Sequence, residues 1–435
     1  MSDALMVRAL FLTVGGGGAM QCGLDFGTSN SAIAVSQDAA AGHLIPLEGD
    51  NRTMPSALFF AEADKSVSYG ASAMNRYLGG EEGRLMRALK STLGTGLIRE
   101  DTVVLGRRRP FTEILMIYLS EVKRRAEASL GGKLTQLVHG RPVRFVEDDP
   151  EGDAAAEAAL RDLAHAIGYK DVVFQPEPIA AATAVETGLE AGTLILIADI
   201  GGGTSDFSIV RADPKRQRVL SHDDDILAAH GLRLGGTDFD RLLNLATVQP
   251  EFGYGQAMLR DGLAPPNWLF TKLASWAEIN QLYTLKTKRE VASMSEEAST
   301  PRPLQRLSHV LAEELGHRLA SSVEAAKIRL SETPSTPVDL TAVEAGLTVD
   351  ATQEALGAAV DAGMVRLTEA THETLRRANL TGERIGALVF TGGSSLMPLV
   401  RHAIARALPM ARTVDYDAFG GVAAGLARSA RLVFA

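Results

Sequence analysis

A short pattern occurs twice in this chain of 435 residues, roughly one domain length apart. In each copy an apolar strand ends in an aspartate, a turn containing glycine and Thr-Ser follows, and a second strand begins. The first copy is residues 25–30, and the second is residues 199–206, which carries two additional glycines. A repeat at this distance predicts two similar lobes that present matching loops to a shared cleft.

The rest of the chain alternates apolar strands with amphipathic helices, which predicts an α/β architecture. Two stretches break this alternation. Residues 248–308 hold both tryptophans and predict a partly irregular subdomain with an exposed loop, and residues 332–338 predict a turn-rich connector. Strands are expected at 22–26, 31–35, 193–198 and 387–390, a second hairpin at 201–210, and helices at 112–130, 153–167, 309–330 and from 397–398 onward.

Charge and cysteine content exclude several classes of protein. Lysine and arginine number 44 against 53 aspartates and glutamates, a net charge of −9, which argues against a surface built for nucleic acid or anionic lipid. Cys22 is the only cysteine, so no intrachain disulfide forms, and the cytoplasm is the expected location. No apolar run of about 18 residues occurs, so no membrane span is predicted. Residues 1–19 are expected to be a disordered extension.

The two loops have the composition of an anion site. Glycine-rich turns expose successive backbone N–H groups, and the hydroxyls of Thr28, Ser29, Thr204 and Ser205 add donors. A carboxylate beside a bound phosphate requires a cation between them, so the aspartate that precedes each loop implies Mg²⁺. These are the parts needed for phosphoryl transfer. The alternative for each loop taken alone is an ordinary β-turn.

A third segment adds a candidate nucleoside pocket. The strand at 387–390 leads into Gly392 and Gly393, which permit close packing against a flat ring, although a plain strand-to-helix turn is the alternative. The sequence contains no Walker-type phosphate loop, dinucleotide fingerprint, zinc-protease motif or nucleophile elbow. A nucleotide site here would therefore belong to another class.

Five segments, taken in order, resemble the ATPase region of the DnaK-type heat-shock chaperones, in the actin and sugar-kinase superfamily. They are residues 23–31, 175–182, 199–206, 235–240 and 389–395. The resemblance implies two ribonuclease H-like lobes, each with an accessory subdomain, around a nucleotide cleft. The implied boundaries are 20–198 plus about 410–435 for lobe I, with its accessory subdomain at about 52–110, and 199–409 for lobe II, with its accessory subdomain at about 246–331.

The resemblance also implies roles for individual residues. Asp25 and Asp199 would hold Mg²⁺ through water, and Lys90 would contact the γ-phosphate. The predicted catalytic set is Lys90, Glu177, Asp199, Thr204 and Asp206, of which Glu177, Thr204 or Asp206 would position the attacking water. The predicted nucleotide-binding set is Gly27, Thr28, Ser29, Asn30, Gly201, Gly202, Gly203, Thr204, Gly235, Gly236, Glu324, Lys327, Ile328, Ser331, Gly392, Gly393, Ser394, Ser395, Leu396 and Asp415, with Glu324, Lys327 and Ser331 on one helical face.

The chain departs from the family pattern in three respects, the first of which is Asn30, which replaces an aromatic residue of the first loop. Ile328 and Leu396 stand where the family presents arginines, so adenine would lie between apolar side chains; the alternative is that both are core residues away from any ligand. Residues 420–427 resemble the last helix of the ATPase region, and the peptide-binding domain is expected to be absent, as in YegD-like members.

The function that the resemblance implies is a slow, Mg-dependent ATPase of the DnaK-like chaperone type, which hydrolyses ATP to ADP and phosphate to open and close the lobes. Nucleotide, unfolded proteins and a co-chaperone are the expected partners; nucleic acid and membranes are not. A small-molecule kinase and a nucleotide-binding or filament-forming module with little hydrolysis are the alternatives. No function is predicted for residues 248–308.

Overall fold

The computed structural model describes residues 20–36, 42–146, 149–214, 223–259, 262–414 and 416–434. The predicted extension at 1–19 and the predicted site residue Asp415 lie outside these described residues. The strands are β1 Met20–Phe26, β2 Asn30–Val35, β3 His43–Leu44, β4 Thr53–Pro55, β5 Ala57–Ala61, β6 Val67–Tyr69, β7 Gly83–Arg87, β8 Asp101–Val104, β9 Arg107–Pro110, β10 Leu134–Arg141, β11 Asp171–Pro176, β12 Leu194–Ile200, β13 Ser205–Arg211, β14 Ile226–Leu232, β15 Ser335–Asp339, β16 Thr348–Thr352, β17 Ala387–Thr391 and β18 Arg412–Thr413.

The helices alternate with these strands along most of the chain, as the amphipathic periodicity predicts. They are α1 Gly70–Leu78, α2 Phe111–Leu130, α3 Pro150–Ala166, α4 Glu177–Val185, α5 Gly236–Thr247, α6 Asn267–Leu273, α7 Leu285–Glu297, α8 Pro301–Ala312, α9 Gly316–Arg329, α10 Gln353–Arg377, α11 Pro398–Ala405 and α12 Gly421–Val433. The α/β class is confirmed.

Two sheets share one arrangement of strands. In the first sheet the order is β11-β10-β1-β2-β3, and in the second it is β18-β17-β12-β13-β14. In both, an antiparallel hairpin (β1–β2 or β12–β13) has its first strand paired in parallel with a later strand, β10 or β17. The repeat seen in the sequence is therefore repeated in sheet topology, and each loop of the repeat is the turn of a central hairpin.

The first sheet is covered on both faces. Leu24 and Phe26 of β1 pack into an apolar cluster with Tyr118 of α2, whereas Gly23 faces α12 on the opposite side. A Cβ at Gly23 would lie 2.3 Å from the backbone nitrogen of Ala427, so this close approach requires glycine. Cys22 is fully buried in the same strand. The last helix of the described chain therefore packs chiefly on the first sheet.

A separate apolar cluster joins the two sheets. Ile179 of α4, Ile197 of β12, Val389 of β17 and Leu426 of α12 belong to it. Helices α4 and α12 pack closely, since a Cβ at Gly425 would lie 1.9 Å from the carbonyl oxygen of Ala180. Among the described residues, no helix is long and apolar enough to cross a membrane.

Two element predictions need correction. The predicted helix 309–330 is interrupted between α8 and α9, where Glu314 adopts a positive φ of 54° that no helix accommodates. Residues 248–308 are partly irregular, as predicted: α6, α7 and most of α8 lie there, separated by turns and irregular segments. The predicted connector at 332–338 overlaps β15, where Pro337 is tolerated because the β15–β16 hairpin is a two-stranded sheet and leaves an edge unpaired.

Candidate functional site

The two loops of the repeat close with the same hydrogen bond. The backbone N–H of Gly27 donates to the carbonyl of Asn30 at 3.0 Å, and that of Gly201 donates to the carbonyl of Thr204 at 2.9 Å. A Cβ at Gly27 would lie 2.3 Å from the Asn30 carbonyl oxygen, so the first loop requires glycine there. At Gly201 the corresponding distance is 3.5 Å, which is an ordinary contact.

The loops face each other across a narrow gap. A Cβ at Gly202 would lie 2.7 Å from Oγ of Ser29, which places the middle of one loop against the middle of the other. Thr28, Ser29, Gly203 and Thr204 are exposed. A Cβ at Gly203 would have no heavy atom of the described residues within 4 Å. Two polar turns with accessible donors thus converge on one open space.

Ser56 holds the first loop in place, although no sequence pattern indicates this role. Its backbone N–H donates to the carbonyl of Ser29, and its hydroxyl donates to the carbonyl of Gly27, both at 2.8 Å. The hydroxyls of Ser56 and Ser31 lie 3.0 Å apart. Ser56 directly follows β4, outside every motif, so only the tertiary structure reveals this role.

Two other predicted segments hold the second loop. The backbone N–H of Gly236 and the hydroxyl of Ser394 each donate to the carbonyl of Gly201 at 3.0 Å. A Cβ at Gly235 would lie 2.6 Å from the carbonyl carbon of Gly202. The structure therefore brings together the segments 201–204, 235–236 and 392–395, which are far apart in the sequence.

Half-buried carboxylates lie at the strand ends beside the loops. Burial and the charge of Glu177 raise the pKa of Asp25 to about 8, and burial with the charges of Glu177 and Asp206 raises that of Asp199 to about 7. The Nζ atom of Lys90 lies 2.6 Å from Oε1 of Glu177. Burial alone would lower the pKa of Lys90, but Glu177, Asp25 and Asp199 outweigh it and raise that pKa. The cluster therefore holds more carboxyl groups than cationic side chains, and their mutual repulsion favours protonation of the two aspartates.

This donor set fits a hydrated magnesium ion. Among the described residues, no group of three or more histidine, cysteine, aspartate or glutamate side chains could hold a metal directly. Asp25 and Asp199 are nevertheless hard oxygen donors that act electrostatically on each other within the cleft. Mg²⁺ prefers oxygen ligands and keeps several of its waters, so contact through water suits two carboxylates that do not form a direct cage.

Asp206 and Thr391 complete the surroundings of Asp199. Asp206 lies opposite Asp199 in the β12–β13 hairpin and is exposed, whereas Thr391 lies opposite it in β17 and is buried. A hydrogen bond from the Thr391 side chain stabilises the charged form of Asp199 and so opposes the rise in its pKa. Thr391 lies within the 389–395 segment, but it was not among the predicted site residues.

The predicted nucleoside residues are only partly on one helical face. Lys327 of α9 lies 2.7 Å from Oδ1 of Asp240 and donates to the carbonyl of Gly236 at 3.1 Å, and Glu324 on the same helix is half-buried. Ser331 is not on this helix, which ends at Arg329; it lies in the following turn, so the prediction of a single face is wrong for it.

Two apolar residues of the predicted adenine pocket are exposed. Ile328 is 61% exposed and Leu396 is 42% exposed, which rules out the alternative that both are core residues. Gly392 has a positive φ of 76° and packs against Asp199, since a Cβ there would lie 2.6 Å from Oδ1. The ring of Phe419 lies against Gly393, where a Cβ would be 2.9 Å from Cε1. Phe419 was not predicted.

Four side chains form a contact that we call the aromatic joint: Tyr77, Arg87, Trp276 and His317. It links α1 and β7 to the loop after α6 and to α9. The hydroxyl of Tyr77 and Nδ1 of His317 lie 2.9 Å apart, and Nε2 of His317 lies 3.0 Å from the carbonyl of Trp276. Arg87 lies over the Trp276 ring at 4.5 Å. These contacts connect parts of the chain that pack on different sheets.

The family model described as Hsp70 protein matches residues 101–255 and 308–433, well over half of the chain. The chain belongs to the Hsp70 family. The predicted resemblance to DnaK-type chaperones is confirmed, and Hsp70 members are ATP-binding chaperones with ATPase activity and an actin-like fold.

Curated relatives in the Hsp70 family are similar over nearly the whole chain. The Chaperone protein HscA homolog of Laribacter hongkongensis is 26% identical over 428 residues, which are 94% of this chain and 58% of that protein. That of Methylococcus capsulatus is 27% identical over 429 residues, again 94% and 58%. The chain thus spans less than two thirds of the length of these Hsp70 relatives.

Proposed function

We propose that this Hsp70 family member binds Mg·ATP between its two sheets and hydrolyses it slowly to ADP and phosphate, with opening and closing of two lobes. The observation that carries the proposal is the pair of loops, 27–30 and 201–204. They close with the same hydrogen bond, face each other at Ser29 and Gly202, and leave their backbone amides beside the carboxylate cluster. This is an arrangement suited to a phosphate chain and a cation.

The residues of the cleft divide into binding and catalytic roles. The amides of the two loops would hold the phosphates. Lys90 would neutralise charge on the γ-phosphoryl group, since it already lies among carboxylates and keeps its positive charge there. Glu177, Thr204 and Asp206 are the candidates for positioning the attacking water. Mg²⁺, held through water by Asp25 and Asp199, would supply charge neutralisation at the phosphates.

The nucleoside would lie between the Gly392–Gly393 turn and the end of α9. The exposure of Ile328 and Leu396 supports this, because exposed apolar side chains are available to cover a base. Glu324 and Lys327 would face the ribose. Lys327 would do so while paired with Asp240, which limits its freedom.

Chaperone function, its partners and the predicted lobe boundaries are also proposals. The curated relatives are named chaperone proteins, and this chain spans about 58% of their length. Unfolded proteins or a co-chaperone are the proposed partners, and the cytoplasm is the proposed location. The packing of α12 on the first sheet supports a lobe I that includes the C-terminal segment.

A small-molecule kinase is the second candidate, because the structure has a cavity suited to the small molecule that would accept the phosphoryl group. The cavity has a volume of about 620 Å³ and is lined by carboxylates and by basic side chains. A coupled ATPase assay with and without a metabolite panel separates the two functions, since a kinase consumes ATP faster with its acceptor. The carboxylates are those of Glu177, Asp199 and Asp206, and the basic side chains include Arg144 and Arg377.

Gly203→Ala tests the nucleotide site, with Gly188→Ala as its matched control. A Cβ at either glycine meets no described atom within 4 Å and neither has a positive φ, so both variants are expected to fold like the wild type. Saturation of the wild type at about 100 times Kd should add about 2.7 kcal/mol of stability. Gly203→Ala should lose most of this gain because its methyl group occupies the phosphate space, and Gly188→Ala should keep it. A wild-type melting curve that millimolar Mg·ATP does not move would refute the proposal.

A further inference from the structure

Tyr416 has a buried hydroxyl that the described residues leave without a hydrogen-bond partner. A phenolic O–H buried without a partner destabilises the folded state. Phenylalanine at this position would fill the same space without this cost. Such an orphaned donor indicates a ligand that completes it.

The position of the ring is fixed by close packing. A Cβ at Gly421 would lie 2.2 Å from Cζ of Tyr416, so the ring rests directly on the first residue of α12. The ring also packs on the apolar cluster of Ile197, Val389 and Leu426, which joins the two sheets. The hydroxyl therefore cannot swing freely to find another partner.

The segment that carries Tyr416 runs beside the cleft. The backbone N–H of Val414 donates to the carbonyl of Leu388, and that of Gly392 donates to the carbonyl of Ala418, both at 2.9 Å. These bonds tie the segment to Leu388, near the start of β17, and to the turn that packs against Asp199. Tyr416 lies between these two bonds, level with the second half of β17, which ends at Thr391 opposite Asp199.

Charge at this point favours a donor role for the hydroxyl. Burial, and then the charges of Asp25, Asp199 and Asp417, raise the pKa of Tyr416 well above its usual value. The phenol therefore stays protonated. Asp25 and Asp199 are the carboxylates proposed to hold hydrated Mg²⁺, so the hydroxyl lies in the region of the phosphates.

We infer that the Tyr416 hydroxyl donates a hydrogen bond to an oxygen of the nucleotide's phosphate chain, making Tyr416 a further binding residue of the site. The inference rests on the proposed nucleotide function. This donor is separate from the loop amides, because Tyr416 lies in the segment just before α12, far from both loops in the sequence. A phosphate oxygen supplies the acceptor that the described residues do not.

Tyr416→Phe tests the inference, with Tyr283→Phe as the control. The Tyr283 hydroxyl accepts from the backbone N–H of Gly316 at 3.0 Å, so its loss removes a satisfied bond away from the carboxylates. Calorimetric titration with Mg·ADP, titration with adenosine and melting of the free proteins are measured for both variants. Tyr416→Phe should melt no lower than the wild type, bind Mg·ADP about tenfold more weakly and bind adenosine unchanged. Tyr283→Phe should melt lower and bind both ligands unchanged.

Two results overturn the inference in different ways. The first is that the wild type binds Mg·ADP and Tyr416→Phe binds it equally well, or that the variant's affinity for adenosine falls as much as its affinity for Mg·ADP. In that case the assignment of Tyr416 is wrong and the proposed function stands. If the wild type binds no Mg·ADP, the proposed function fails and the assignment fails with it.

Discussion

Tyr77→Phe removes one hydroxyl from the aromatic joint and leaves its rings in place. The lost contact is that between the Tyr77 hydroxyl and Nδ1 of His317, at 2.9 Å. The edge contact between the two rings, with centroids 5.2 Å apart, and the contact of Tyr77 with Phe59 at 6.2 Å are kept. The variant therefore removes only the hydrogen bonds of this hydroxyl, those with His317 and with the Asn280 side chain, and keeps the ring contacts.

The size of the effect follows from the burial of the acceptor. Nε2 of His317 donates to the Trp276 carbonyl, which leaves Nδ1 as the acceptor for Tyr77, and His317 is buried. Such a bond contributes about 1 kcal/mol net. If the joint must separate when the cleft opens, about 1 kcal/mol corresponds to roughly fivefold faster opening. ADP release should accelerate by the same factor where opening limits release.

Stopped-flow release of a fluorescent ADP analogue measures this rate. Tyr169→Phe is the control, because its hydroxyl lies 3.8 Å from Sγ of Cys22 inside the core of the first sheet, away from the joint. The control should release ADP at the wild-type rate. A Tyr77→Phe variant with a lower melting temperature but an unchanged release rate would refute the reasoning, since the bond would then stabilise the fold without restraining the cleft.

Three other expectations use the same structure. Lys90→Ala should lower turnover about a hundredfold and leave the Kd for ATP nearly unchanged, because Lys90 is assigned to charge that grows in the transition state; a collapse in affinity at constant turnover per bound nucleotide would contradict this. Ile328→Arg and Leu396→Arg should tighten ATP binding by about 0.5–2 kcal/mol through stacking on the base. Because both positions are exposed, melting temperatures should not fall, and calorimetry checks the affinity. Burial lowers the pKa of His317, so the unfolded state takes up a proton first as pH falls. The contribution of His317 to stability should therefore decline from pH 7 to 5, and denaturant titrations at several pH values should show the difference in unfolding free energy between the wild type and His317→Gln shifting against the wild type as the pH falls.

The elements that the sequence predicted well are those set by local periodicity and turn chemistry. The hairpins after Asp25 and Asp199 and the helices that begin near 111 and 150 have clear patterns, and the structure confirms them. The break between α8 and α9 had no such pattern, because it depends on one non-glycine residue, Glu314, in a left-handed conformation. Strand β15 was missed because Pro337 reads as a turn unless the strand's unpaired edge is known.

The candidate site likewise contains some residues that local sequence patterns predict and others that only tertiary contacts reveal. Its glycine loops were predictable because each loop is contiguous in the sequence and glycine has a direct geometric reason there. Ser56 and Tyr416 were not predictable, because their contribution comes from contacts between residues far apart in the chain. The ion pairs Lys90–Glu177 and Lys327–Asp240 likewise depend on tertiary structure. Lys90, Glu177 and Lys327 were each predicted as site residues, but the pairs themselves were not predicted.

The burial of Cys22 makes the native chain ready for site-specific labelling. Its thiol lies inside the first sheet, where burial raises its pKa to about 12, and maleimides react with the exposed thiolate form. Cysteines introduced at Val103 and Leu285, which are 53% and 73% exposed, would therefore be the sites that take up dye. A fluorophore pair at these positions would report the separation of β8 and α7 in single molecules, with no need to remove the natural cysteine first.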